Sequence, residues 1–149
     1  MRSFLLILLV LMMVFSACSA ATGIEISSAW SRPTMKGENG AVYFLLQNHS
    51  AGRDILTGIS SDIAQAIEIH ESTEDGDVMQ MRQVMSLPIA GKESIAFGPG
   101  GYHVMLVGLK QDLKAGDEIQ VTLHFKDHDD IEVNIPVQEI APGETMEDH

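Results

Sequence analysis

From Gly23 onward the chain alternates short apolar or period-two runs with clusters of Gly, Asp, Asn, Ser and Pro. Side chains on a strand point to opposite faces in turn, so such runs read as half-buried strands. They fall near Ile24–Trp30, Ala41–Asn48, Asp54–Ile59, Ala66–Thr73, Asp77–Val84, Glu93–Phe97, Tyr102–Gly108, Asp117–Phe125 and Ile131–Val137. Many short strands with turn residues between them predict an all-β sandwich or barrel. No stretch carries a helix of three turns, although Ser61–Ala66 has room for one short turn. With no repeat, linker or second core, residues 23–138 are expected to form a single domain.

The segment before that domain has a different pattern. "MRSFLLILLVLMMVFSACSA" opens with Arg2, continues through an apolar core from Phe4 to Phe15, and ends in small residues. This is the layout of an export signal, and its apolar core is shorter than the roughly 20 residues of a membrane span. Residues 1–20 are therefore read as a leader, and the domain as lying in the periplasm or on the outer side of a bacterial inner membrane. "FSAC" resembles the lipobox of bacterial lipoproteins, with Phe15 where Leu is usual. Cleavage before Cys18 leaves a cysteine for acylation, and cleavage after Ala20 discards it; both readings stay open. At the other end, residues 139–149 read as a flexible acidic tail whose Met146 and His149 are ordinarily just solvated.

Charge and cysteine count exclude several functions. Nine Lys and Arg stand against 21 Asp and Glu, a formal net charge of -12. That balance disfavours nucleic acid, which is bound by neutralising phosphates with cations. It disfavours anionic lipid for the same reason. Cys18 is the sole cysteine, so the domain has no disulfide and no thiolate for catalysis. A blue-copper centre, which needs a cysteine ligand, is excluded as well. No G-x-S-x-G, H-E-x-x-H, P-loop or dinucleotide fingerprint occurs, so the chain reads as a non-enzyme.

Two places concentrate soft donors. In "GGYHVMLVGL", His103 and Met105 share one face of a strand. In "IHESTEDGDVMQM", Asp75-Gly76 is a type I′ hairpin signal. A two-residue loop there pairs Ser72 with Met79 and sets His70 opposite Met81, on a face shared with Glu68, Ser72, Met79 and Gln83. Taken singly, a strand histidine is ordinarily a surface or satisfied core residue, and methionine ordinarily fills gaps. Taken together, His70, Met81, His103 and Met105 form a His2Met2 set if their strands meet. Neutral thioethers favour Cu(I), whereas zinc sites use Cys, His and carboxylates. Met79 shares the face of Met81 and is next in line as a ligand. Met35 and Met85 read as packing or surface residues. "HFKDHDD", with His124, Asp127, His128, Asp129 and Asp130, reads as a polar hairpin turn rather than a site for a harder cation, and His49 as a loop residue. Trp30 and Tyr43 are assigned to the core or its rim.

The spacing His70, ten residues, Met81, twenty-one residues, His103, one residue, Met105 resembles the H-x10-M-x21-H-x-M signature of the PCu(A)C family of periplasmic copper chaperones. "NGAVYFLLQN", "IEIHES", "VMQMRQV" and "GGYHVMLVGLKQDLKAGD" are also similar to that family's segments. The resemblance implies a cupredoxin-like, Greek-key β-sandwich with one Cu(I) per chain held by His70, Met81, His103 and Met105. It further implies copper delivery to the dinuclear copper site of cytochrome c oxidase, beside a thioredoxin-like Sco partner. Copper storage or detoxification, and binding of a protein partner with metal incidental, are the alternatives. Many relatives carry a longer His/Met-rich tail, of which only Met146 and His149 are present here.

Overall fold

The computed structural model of the chain describes residues 23–76 and 78–143. The leader, Cys18, Met146 and His149 lie outside the described residues. Ten strands follow one another: β1 (Ile24–Ser31), β2 (Gly40–Asn48), β3 (Asp54–Ser60), β4 (Ala64–Asp75), β5 (Val78–Val84), β6 (Leu87–Ile89), β7 (Ser94–Phe97), β8 (Tyr102–Leu109), β9 (Glu118–Phe125) and β10 (Ile131–Pro136). The all-β reading holds. Ser61–Ala66 forms no helical turn, because β4 already begins at Ala64. β6 escapes sequence analysis, being three residues long with a central proline. It pairs only with β3, at a sheet edge where a strand tolerates a missing N–H.

The strands form two sheets. One has the order β1-β2-β7-β8-β4-β5, and the other β10-β9-β3-β6. Along β2, every second residue from Gly40 to Asn48 is buried; Ile119, Val121, Leu123 and Phe125 are the buried positions of β9. These inward sets interleave as one aliphatic and aromatic core with Leu56, Ile89, Leu106 and Ile135, all four without solvent exposure. Phe44 and Phe97 stack within it at 4.2 Å between ring centroids. None of His70, Met81, His103 and Met105 belongs to this cluster.

The larger sheet sets up the outer surface that matters. β2 is shared: Phe44–Gln47 pair with β7, while Gly40–Val42 pair with β8. The β7–β8 connection is "GPGG", residues 98–101. β4 lies between β8 and β5, antiparallel to both. Two stretches distant in the chain are thereby side by side.

Candidate metal centre

The β4–β8 register fixes the first half of the site. His70 is directly opposite His103, and Glu68 is opposite Met105. Directly opposed residues share a sheet face, so all four side chains are on the outer face of the larger sheet. The two imidazoles stand edge to face with ring centroids 5.8 Å apart.

The β4–β5 hairpin departs from the expected register. Asp75 pairs with Val78, Ser72 with Met81 and His70 with Gln83. Met81 is therefore opposite Ser72 and diagonal to His70, not directly across from it. The cause lies in the turn. Gly76, with φ of 64°, is the first residue after the strand pairing, and Asp75 stays in β4. Primed turns need positive φ at their first central position, which glycine adopts at less cost than aspartate. The resulting slip is by two residues, an even number, so no side chain changes face. Met81 remains on the face of His70. Met79 moves farther from it, opposite Glu74, and its standing as the next ligand weakens.

Hydrogen bonds define the state of each ring. His70 Nε2 is 2.7 Å from Glu68 Oε2. A carboxylate only accepts, so Nε2 carries the proton and donates. The other nitrogen, Nδ1, is buried with no hydrogen-bond partner among the described residues. In His103 the arrangement is reversed: Nδ1 is 3.1 Å from the carbonyl oxygen of Gly101 and donates to it. Nε2 of that ring keeps its lone pair. The same Gly101 carbonyl accepts from the backbone N–H of Ser72 at 3.0 Å, tying the "GPGG" turn to β4. Metal-bound histidines characteristically donate their other nitrogen to a carboxylate or carbonyl in this way.

Met81, His103 and Met105 line one open groove of about 540 Å³, together with Ser72, Tyr43, Pro99 and Gly100. His103 is 6% exposed, Met105 is half-buried, and Met81 is 55% exposed. Trp30 is buried and packs at a tilt against Tyr43, 4.9 Å between ring centroids, with the Arg32 guanidinium over its ring. Among the described residues no three His, Cys, Asp or Glu side chains are arranged to hold a metal ion by themselves. A donor cluster on this surface therefore depends on its thioethers, and such a set is soft and uncharged.

Sequence analysis missed the parts played by Glu68 and Gly101. Glu68-x-His70 is legible as a same-face pair on a strand, whereas the Gly101 carbonyl has no side-chain signal. Behind the site, Arg82 donates to Glu71 from Nε at 2.8 Å and pins β5 to β4. Its guanidinium pKa is raised by that hydrogen bond and by the charge of Glu71. Burial, then the Glu71 charge, pushes the Tyr102 phenol upward.

The remaining histidines are engaged elsewhere. His49 is in a loop and bonds Glu25 at 2.7 Å. "HFKDHDD" spans the end of β9 and the polar β9–β10 turn expected there, and His124, on β9, bridges Ser60 at 2.7 Å and Asp130 at 2.8 Å. That chain has the order of a hydrolase relay, but His124 and Asp130 are 37% and 55% exposed, and water screens their interaction. Met35 and Met85 are surface residues.

The fold and this surface define an all-β sandwich with a histidine–methionine cluster on the outer face of its larger sheet. The chain belongs to the family described as "Putative lipoprotein LpqE-like", whose model matches residues 24–137. An uncharacterized protein of Rickettsia prowazekii is 38% identical over 128 residues, covering 83% of this chain and 71% of that one. Among solved structures, Cu(I)-bound DR1885 of Deinococcus radiodurans is 26% identical, with a TM-score of 0.66 and 83% of each chain covered. The copper-bound PCuAC domain of PmoF2 shares the fold at a TM-score of 0.68 and 23% identity, over 80% of this chain and 97% of that domain. The PCu(A)C resemblance seen in the sequence stands.

Proposed function

We propose that this protein is an extracytoplasmic Cu(I) carrier that binds one ion per chain through His70, Met81, His103 and Met105. The observation that carries this reading is the pair of facing imidazoles, each with one nitrogen committed to an acceptor and the other available. Two thioethers share their face. Neutral N and S donors leave the ion its single charge and favour Cu(I) over a divalent metal. Likeness to the Cu(I)-bound protein of Deinococcus radiodurans supports the same metal.

Release follows from donor strength and exposure. Met81 is more than half exposed and contributes a weak neutral sulfur, so an incoming thiolate displaces it first. The imidazoles let go last. The acceptor proposed from the family resemblance is the dinuclear copper site of cytochrome c oxidase, loaded together with a Sco-type protein. The leader-like N-terminus and the lipoprotein description of the family support export, with Cys18 as the point of lipid attachment where cleavage precedes it.

Titration with Cu(I) under reducing conditions, against a competing chelator, tests the ligand set. Met81→Ala and Met105→Ala are each expected to weaken binding, and unchanged affinity in both overturns the assignment. The delivery step has its own test in copper-limited cells. There, His103→Ala is expected to lower oxidase activity; normal activity with a copper-free variant points instead to binding of a protein partner with metal incidental.

A further inference from the structure

Glu68 is a carboxylate on the face of the site, 31% exposed at its side chain, and it bonds His70 rather than a cation. On the bare strand, His70 has two equivalent ways to present a lone pair, because either ring nitrogen can carry the proton. Glu68 removes that freedom: Nε2 is 2.7 Å from an acceptor-only group, so the lone pair is at Nδ1, the buried atom without a partner. His103 is held the opposite way round by the Gly101 carbonyl, with its lone pair at Nε2.

We infer that Glu68 is the positioning residue of the site, and that it makes the two histidines bind a soft monovalent ion through unlike nitrogens, Nδ1 of His70 and Nε2 of His103. This rests on the Cu(I)-site reading above. The physical basis is the strand register. His70 and His103 are directly opposed on neighbouring strands, so their rings rise side by side from one face. Nδ1 is close to the backbone and Nε2 is at the tip of the ring, so unlike nitrogens let one imidazole bind near its own strand while the other reaches out. Glu68, two residues before His70 on the same face, occupies the outer nitrogen of the ring that binds close in. Gly101, two residues before His103, does the reverse through its backbone.

Silver(I) is a diamagnetic stand-in for Cu(I), and its coupling to 15N in imidazole-labelled protein reports which ring nitrogen binds. Expected are couplings to Nδ1 of His70 and Nε2 of His103. In Glu68→Ala the His70 Nδ1 coupling is expected to be lost or split between both nitrogens. The affinity for Cu(I) is expected to fall by about 10- to 100-fold, the usual loss when such an orienting partner is removed. Glu68→Gln keeps the shape of the side chain and serves if the alanine variant does not fold. Its amide NH2 can donate to Nε2, which leaves the ring proton on Nδ1, so a weakened or lost Nδ1 coupling on a folded protein is not something a purely structural role would produce. Silver on Nε2 of His70 in the wild type overturns this inference and leaves the ligand set intact, as does an unchanged Nδ1 coupling and affinity in both Glu68 variants. Absence of coupling to either ring overturns the ligand set as well.

Discussion

Asn48 illustrates how much of this fold one buried polar side chain organises. It is 3% exposed, and all its hydrogen-bonding capacity is used. Nδ2 donates to the carbonyls of Gly52 at 2.8 Å and Ala90 at 3.0 Å, while Oδ1 accepts from Ser50 N at 3.0 Å and Ser50 Oγ at 2.7 Å. Alanine there leaves several groups unsatisfied, and Asn48→Ala is expected to cost about 2–3 kcal/mol in a denaturant titration. Asp54 plays the same part for the β9–β10 connection, accepting from the amides of Ile55, Asp127 and His128. Burial alone would raise its pKa, but those three amides and the nearby His128 outweigh it, and the carboxyl is held below its ordinary value. A depressed carboxyl stabilises the fold above the unfolded-state value of about 3.9 and ceases to do so as pH falls through the folded one. Acid titration of stability should therefore show a loss beginning near pH 4 that is smaller in Asp54→Asn. Neither residue stands out in the sequence, because which carbonyls and amides surround a side chain is decided by distant segments. His70 and His103 stand out in the sequence for the opposite reason: their residue type and spacing suggest chemistry without any knowledge of neighbours.

At the level of elements, alternation predicted nearly every strand, since burial of one face writes a period of two into the residues themselves. The hairpin register was less legible. "EDGDV" offers two overlapping turn dipeptides, Asp75-Gly76 and Gly76-Asp77, and the chain closes one residue later than the first of them. That choice depends on a small difference in backbone strain that composition does not display. The meeting of β4 and β8 was a condition rather than a deduction, because strand order across a sheet has no local signal. The period of two has a sharp consequence for function. One extra residue inserted after Gly76 would turn every side chain of β5 to the other face and carry Met81 away from the groove. X-ray absorption of the copper-loaded insertion variant is expected to count one sulfur neighbour where the wild type has two. An insertion of two residues restores the original face, and with it the second sulfur.

For the molecule as a whole, the core and the donor cluster are on separate surfaces of the same sheet. Replacing exposed Met81 with alanine should leave the metal-free protein within about 0.5 kcal/mol of wild-type stability, because no core contact is lost. Gly91 provides the contrast. A Cβ added there would stand 2.1 Å from the carbonyl oxygen of Ala51, and Gly91→Ala is expected to destabilise the sandwich by about 2–3 kcal/mol in thermal melts. Copper, if it binds only the folded chain, should stabilise wild type and Gly91→Ala alike by roughly 2.7 kcal/mol at a hundredfold excess over its dissociation constant, and raise both melting midpoints.

The unshared nitrogen of His70 has a bearing on loading itself. A buried acceptor with no protein partner costs about 1–3 kcal/mol, and on the proposed reading an ion meeting Nδ1 of His70 would lift that penalty. Folding would thus wind a small spring before any metal arrives, and capture would let it relax.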